Sequence, residues 1–296
     1  MKAVVLGAAA GGGLPQWNCG CQNCNDARNG KLPLMTQSSV AISVDDESWV
    51  LLNASPDIGV QLIRTPALHP RALRQTPIHS VVLTNGDIDH VAGLLTLREK
   101  TAFKLCATQI GLDILDSNAV FGVLDPDLVS RETLALDAPL ELMPDLTIVA
   151  FSVPGKVALY LEGDDDLDLK AMGEQTIGLI LQSKAGRLAY IPGCADIPDW
   201  LVDRIADVDV LLFDGTVWHD DDMPRTGAGK KTGARMGHIS INGPDGSLAR
   251  FASVKSRKIL IHINNTNPIL QPSSPERQVV ERAGWEVAYD GMEIGL

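Results

Sequence analysis

Residues 81–93 read Val81-Val82-Leu83-Thr84-Asn85-Gly86-Asp87-Ile88-Asp89-His90-Val91-Ala92-Gly93. Val81–Leu83 is a short apolar, largely β-branched run that reads as a buried strand. Asn85-Gly86-Asp87 is turn chemistry, and a helical pattern starts at Val91 and continues to about Lys100. Asp87, Asp89 and His90 therefore stand on a tight strand-to-helix loop whose ends are held by packing. Carboxylates and an imidazole placed this way suit a divalent metal. The plainer alternative is that Asp87 or Asp89 only caps the helix, a position that favours Asp.

Outward from this loop, strands are expected at Lys2–Leu6, Ser39–Val44, Trp49–Asn53 and Lys104–Cys106. Ser55-Pro56 has the form of a helix start, Ser as N-cap and Pro at the first helical position, with the helix running to about Arg64. Pro66–Pro77 is a proline-rich loop, and Gln109–Leu115 a helix. Residues 120–144 carry no readable period. Further strands are expected at Thr147–Val153, Val157–Leu161, Ile177–Gln182, Leu188–Ile191, Val208–Phe213, Ile259–Ile263 and Trp285–Ala288. Helices are expected at Pro198–Ile205, Asp245–Phe251 and Glu276–Ala283, with a glycine- and charge-rich loop at Gly215–Gly237. Hairpin-like strands followed by alternating strands and helices predict sheets stacked between helices, an α/β (α+β) chain forming one domain over residues 1–296.

Composition narrows the function classes. Hydrophobic residues make up 45% of the chain, enough for a sizeable core, and the formal charge is −12 with no basic run. That balance speaks against nucleic acid, whose phosphates need Lys and Arg to neutralise them. No apolar run reaches membrane-spanning length. The N-terminal Met-Lys-Ala-Val-Val-Leu runs straight into Gly11-Gly12-Gly13 and reads as a first strand and glycine loop, not a secretory signal; the expected location is cytoplasmic.

Three of the five cysteines, Cys19, Cys21 and Cys24, lie within six residues. That is metal spacing, and three thiolates with one further ligand close a structural Zn²⁺ site. Reduced thiols without metal are the alternative. Cys106 reads as a small core residue. Among six histidines, His69 and His79 read as surface or capping groups, and His219 sits beside the acidic run Asp220–Asp222, read as a solvated face. His238, in Met-Gly-His-Ile-Ser, follows a glycine-rich loop and is a candidate general acid or a structural residue. His262 interrupts an apolar strand near its C-terminal end, where sites in layered α/β folds gather. It is either a satisfied core imidazole or the partner of Asp89 and His90 in a two-histidine, one-carboxylate set, the ligand pattern of non-haem Fe(II) enzymes.

The run Thr84–Gly93 resembles the metallo-β-lactamase superfamily motif Thr-His-X-His-X-Asp-His-X-X-Gly. Gly13–Cys24, Tyr190–Asp196, Met236–Ser240, Ile261–Pro268 and Tyr289–Ile294 resemble, within that superfamily, the PqqB family of pyrroloquinoline quinone (PQQ) biosynthesis proteins. The resemblance covers essentially the whole chain and implies a four-layer αββα sandwich. It also implies where the hydrolase pattern is lost. The first two motif histidines fall on Asn85 and Asp87, a later one at or next to Lys156, and the bridging aspartate near Gly193-Cys194, with Asp196 a shifted candidate. Asp89, His90 and His262 survive, so lactamase, ribonuclease or phosphodiesterase activity is not expected. The cysteine cluster resembles the structural zinc site of related phosphodiesterases, with Asn265 where their fourth ligand, a histidine, stands.

In function, the resemblance implies a PQQ-biosynthesis protein acting with other proteins of that pathway, with a homodimer as the expected assembly. Its activity would be Fe²⁺-dependent hydroxylation of the tyrosine ring in a cross-linked Glu–Tyr unit derived from a precursor peptide. Asp87, His238 and Lys156 are then candidate catalytic residues, and Asn85 and Arg235 candidate cofactor-binding residues. A carrier of PQQ or its precursor, supporting transport towards the periplasm without catalysis, is the alternative; Lys156, Arg235, Lys230 and Lys231 would meet the PQQ carboxylates.

Overall fold

The computed structural model describes residues 1–162 and 168–296. Fourteen strands form two seven-stranded sheets. In chain order they are β1 (Lys2–Gly7), β2 (Ser39–Ser43), β3 (Trp49–Leu52), β4 (Ile78–Val82), β5 (Phe103–Ala107), β6 (Val129–Thr133) and β7 (Pro139–Met143), then β8 (Leu146–Ser152), β9 (Ile177–Ser183), β10 (Gly186–Ile191), β11 (Val210–Asp214), β12 (Arg257–Ile261), β13 (Trp285–Val287) and β14 (Glu293–Gly295). The first sheet runs β14-β1-β2-β3-β4-β5-β6, the second β13-β12-β11-β10-β9-β8-β7. Each sheet begins with antiparallel hairpin strands and ends in three parallel steps, β3 to β6 in one and β10 to β13 in the other. The parallel steps are where helices must cross over.

Strand alternation sorts the core into layers. In β3, Val50 and Leu52 face the second sheet, while Trp49 and Leu51 lie beneath helix residues such as Ile58 and Leu94. In β10, Leu188 and Tyr190 point between the sheets. The outer face of the second sheet is covered by the helices Asp199–Arg204 and Pro275–Arg282, through Leu201 and Val280. This is the expected αββα sandwich. Among the described residues, no helix is long and apolar enough to cross a membrane.

Several local expectations are corrected. The helix expected from Val91 to Lys100 is instead a turn of α-helix, Ile88–Val91, followed by a 3₁₀ turn, Ala92–Leu95. The backbone of Ala54 draws these residues away from a regular ladder: Ala54 N–H donates to His90 O at 2.8 Å, and Gly93 N–H donates to Ala54 O at 2.9 Å. The Ser55-Pro56 helix starts later, at Ile58, with Asp57 in the cap position, because the Asp57 carboxylate reaches back to Gln37 N–H at 2.9 Å. Val157–Leu161 is not a strand. Residues 159–161 form a 3₁₀ turn with Leu159 and Tyr160 exposed, and no neighbouring strand among the described residues offers them a ladder. The loop 215–237 contains two short helices, Asp222–Thr226 and Gly233–Met236. The unreadable stretch holds β6 and β7. The last short strand, β14, was not expected; it closes the first sheet against β1.

Candidate metal centre

The two sheets bring three loop ends together: the β4 exit, the β11 exit and the β12 exit. β4 ends at Val82, and the turn beyond it carries Asp89 and His90. Asp87 sits at the helix N-cap position, yet its side chain makes no cap hydrogen bond; its carboxylate accepts from Leu159 N–H at 3.3 Å instead. β12 ends at Ile261, and His262 takes a left-handed conformation with φ of 59°. An imidazole residue bears that geometry at a cost of about 1–3 kcal/mol. The turn aims its ring at the β4 loop.

Asp89, His90 and His262 each present a ligand atom within 4.8 Å of the others. Asp89 Oδ2 lies 3.2 Å from His262 Nε2 and 4.0 Å from His90 Nε2, and both rings are buried. His90 Nδ1 lies 2.7 Å from Asn85 Oδ1. An amide oxygen only accepts, so Nδ1 carries the proton and Nε2 keeps its lone pair. That Nε2 is shut off from water and has no hydrogen-bond partner among the described residues. A buried acceptor without a partner, grouped with a carboxylate and a second imidazole, has the donor chemistry of a metal ligand set. The residues fit a divalent cation.

Electrostatics agree. Burial drives the His90 pKa down to about 4, keeping the ring neutral. Burial alone would raise the pKa of Asp89, but the hydrogen bond from His262, whose own pKa is raised, outweighs it and holds the carboxyl ionised. His262 is shifted upward because its contact with Asp89 exceeds the cost of burial.

Asp214 and Thr216 also belong to the site, and neither was expected. Asp214 is fully buried and closes β11, the strand beside β12. Its carboxylate accepts from Cys194 N–H at 3.0 Å, Thr216 Oγ at 2.7 Å and His238 Nδ1 at 2.7 Å. Thr216 Oγ lies 2.9 Å from His262 Nδ1, so the hydroxyl donates to Asp214 and accepts from His262, turning His262 Nε2 towards Asp89. The His238 ring stacks on His262 with centroids 5.1 Å apart. Asp214, His238 and His262 also cluster closely enough to hold an ion. Here, though, Thr216 and direct hydrogen bonds satisfy the inward-facing atoms, so this group reads as a hydrogen-bond network behind the first. The missed signal was an acid at the end of an all-apolar strand, the same pattern that marked His262.

The remaining expected residues fall around this centre. Asn85 orients His90. Lys156 Nζ pairs with Glu162 at 3.0 Å, and its stem packs over Gly237 beside His238. Arg235 grips the same Glu162 through two bonds of 2.7 and 3.1 Å. Glu162 was not foreseen. Asp196 lies outside the centre, paired with Lys170 at 2.8 Å, and Cys194 is buried behind it with its thiol against Asp196 O. The acidic run beside His219 is not wholly a solvated face: Asp222 is buried and accepts from the N–H groups of Trp218 and His219. His69 and His79 are exposed, and Cys106 is a buried core residue.

Cys19, Cys21 and Cys24 form a second candidate site. The Asn265 carboxamide nitrogen lies 3.1, 3.6 and 3.2 Å from the three sulfurs, so this side chain stands on the open face of the thiol triangle. Burial holds the Cys21 pKa up at about 11. Such a thiol surrenders its proton readily only to a cation, and three sulfurs suit Zn²⁺, with Asn265 able to serve as the fourth ligand once its carboxamide is turned to present the oxygen in place of the nitrogen.

The β-lactamase superfamily domain matches residues 48–263. Coenzyme PQQ synthesis protein B of Ruegeria pomeroyi is 54% identical over 296 residues, with both chains covered in full. The namesake from Methylorubrum populi is 55% identical over 300 residues, again with full coverage of both. A crystal structure of Zn²⁺-bound PqqB from Methylobacterium extorquens superposes with a TM-score of 0.98 at 52% identity over the full length of both chains. A diphosphatase of the PhnP family shares the fold, with a TM-score of 0.69 at 20% identity, covering 100% of this chain and 98% of that one. By descent and by architecture, the chain belongs to the coenzyme PQQ synthesis protein B family of the β-lactamase superfamily.

Proposed function

We propose that this PQQ-biosynthesis protein is an Fe²⁺-dependent hydroxylase acting on the tyrosine ring of the cross-linked Glu–Tyr unit from the precursor peptide. The reading rests on the buried, partnerless Nε2 of His90 facing Asp89 and His262. Those three residues would hold the iron. A divalent iron bound by two imidazoles and one carboxylate retains open coordination positions and one-electron chemistry suited to O₂ and a phenol.

The chain's own residues supply the setting. Asn85 fixes the His90 tautomer, and Thr216 fixes that of His262. Asp214 holds the proton on His238 Nδ1, leaving His238 Nε2 as the atom able to accept or return a proton at the site. Lys156, with Glu162, keeps a compensated charge beside Asp87, whose own pKa is raised by burial and by Asp89. A hydrolytic pair of metals would need ligands that Asn85 and Lys156 do not offer at neutral pH. Carriage of PQQ through Lys156 and Arg235 is disfavoured because Glu162 already occupies both cations.

The test loads the protein with Fe²⁺ without oxygen, adds the cross-linked Glu–Tyr substrate and a reductant, then admits O₂. A product heavier by oxygen, absent in Asp89→Ala, is expected. Metal-independent PQQ binding with no oxygenated product would favour the carrier and overturn the hydroxylase.

A further inference from the structure

The second sheet carries a cavity of about 550 Å³ on its outer face, away from the strand ends that build the metal centre. Register explains its lining. Thr147, Gln182 and Arg187 fall in one row across β8, β9 and β10, and Val149 and Ile180 in the next. The residues between them, Ile148, Leu181 and Leu188, point into the core between the sheets, so these two rows face outward. Val149 and Ile180 make an apolar floor with a polar, cationic margin.

Charge is unevenly settled around that floor. Lys184 pairs with Asp145 at 2.6 Å. Arg204, reaching from the helix Asp199–Arg204, pairs with Asp137 at 2.5 Å and lays its guanidinium 4.7 Å from the Phe151 ring centroid. The Arg187 guanidinium shares in neither pair and makes no ion pair with a carboxylate among the described residues, while the Arg187 backbone N–H donates to Asp209 Oδ2 at 2.7 Å. Its Nε is shut off from water without an acceptor, as is that of Arg204. Of the three cations, Lys184 and Arg204 are paired and the Arg187 guanidinium is not; the nearby Asp209 carboxylate is taken up by the Arg187 backbone N–H. A guanidinium held so is rewarded by an anion, and its planar fork matches a carboxylate.

We propose that this cavity is a binding site for a small organic monocarboxylate with a flat apolar body. The carboxylate takes Arg187, and the body lies on Val149 and Ile180. The site is separate from the metal centre and does not depend on the hydroxylase reading.

Amide spectra of the full-length zinc-loaded protein, titrated at low ionic strength, test it. Benzoate is the probe, with its neutral isostere benzamide and inorganic phosphate in parallel. Benzoate is expected to give saturable shifts at Ile180, Gln182 and Arg187, with benzamide and phosphate each weaker by about tenfold or more, as befits one charge-assisted contact and one apolar face. Arg187→Gln should weaken benzoate by a similar factor while zinc content and thermal midpoint stay unchanged, and Arg187→Lys should restore part of it. Should Arg187→Gln fail to fold, Val149→Asp, which sets a carboxylate in the floor, is expected to show the same loss. Benzoate shifts that do not saturate, or that survive Arg187→Gln, overturn the proposal. So does benzamide or phosphate binding as tightly as benzoate.

Discussion

Asn85 is where the chain departs most visibly from a histidine-rich metal motif, and it is not idle. Its amide oxygen decides which nitrogen of His90 is bare. Asn85→Ala should therefore lower affinity for the centre's metal by about 10–100-fold. Competition with a chelator of known affinity would measure this, and unchanged affinity would remove Asn85 from the site. Asp214 acts on His238 in the same manner and reaches the metal set only through the Thr216 hydroxyl, which an asparagine oxygen would still accept from. Asp214→Asn is expected to leave metal content intact and reduce hydroxylation by about 10²–10⁴-fold, the usual scale for a proton-transfer group. Asp89, His90 and His262 were legible because ionisable residues interrupt apolar or turn-forming runs. Asp214 carried the same sign but lies just where an apolar strand ends anyway, and nothing local separates such an acid from an ordinary loop residue. Thr216 and Glu162 were beyond reach: a threonine acquires its role only when three strand ends converge, and Glu162 only when the fold sets Arg235, 73 positions along the chain, beside it and Lys156.

The segment from the β4 exit to Leu95 shows an element shaped by its neighbour. A Cβ added to Gly93 would stand 2.2 Å from Ser55 O, a backbone atom that cannot step aside. Gly93→Ala should destabilise the fold by about 1–3 kcal/mol, read from urea or thermal unfolding. Because this turn carries Asp89 and His90, metal affinity should fall with it. The expected long helix failed here for the same reason: periodicity registers apolar spacing but is blind to the backbone of the loop after β3 pressed against a glycine. The 159–161 turn is tied down at its far end by Glu162. Hydrogen bonds from Arg235, then Lys156, hold the Glu162 pKa down to about 2 from its ordinary 4.5, despite burial that would raise it. A depressed carboxylate lends stability above its unfolded pKa and loses it as pH falls towards the folded value. The gap between the native protein and Glu162→Gln should therefore be constant at neutral pH and close between about pH 4.5 and 2. Thermal midpoints across that range would show it, and a gap that persists at the acid end would contradict the assignment.

Across the molecule, the sandwich was legible from alternation in β2, β3, β8 and β9, where apolar runs are bounded by turns. Its pairing was not, because sheet order depends on contacts between distant strands, such as β1 with β14. One polar bridge crosses between the sheets: Tyr190 Oη, from β10, lies 3.3 Å from both Ser38 Oγ and Asn53 Nδ2. All three residues are buried, and burial pushes the tyrosine pKa well above its usual value. Tyr190→Phe would strand the Asn53 amide proton, so a loss of about 1–3 kcal/mol is expected. An unchanged unfolding midpoint would mean water or Thr84 takes over the bond.

His262 and Asn265 are three positions apart on the loop leaving β12, one in the reactive centre and one against the cysteine triangle. A scaffolding ion and a working ion would thus hang from one short tether. On the proposed reading, removing zinc from the thiols would free the far anchor of that tether and leave the left-handed turn at His262 without its brace. If that reading holds, gentle chelation at the cysteines should lower product yield in the Fe²⁺-loaded assay before the centre's own metal content falls.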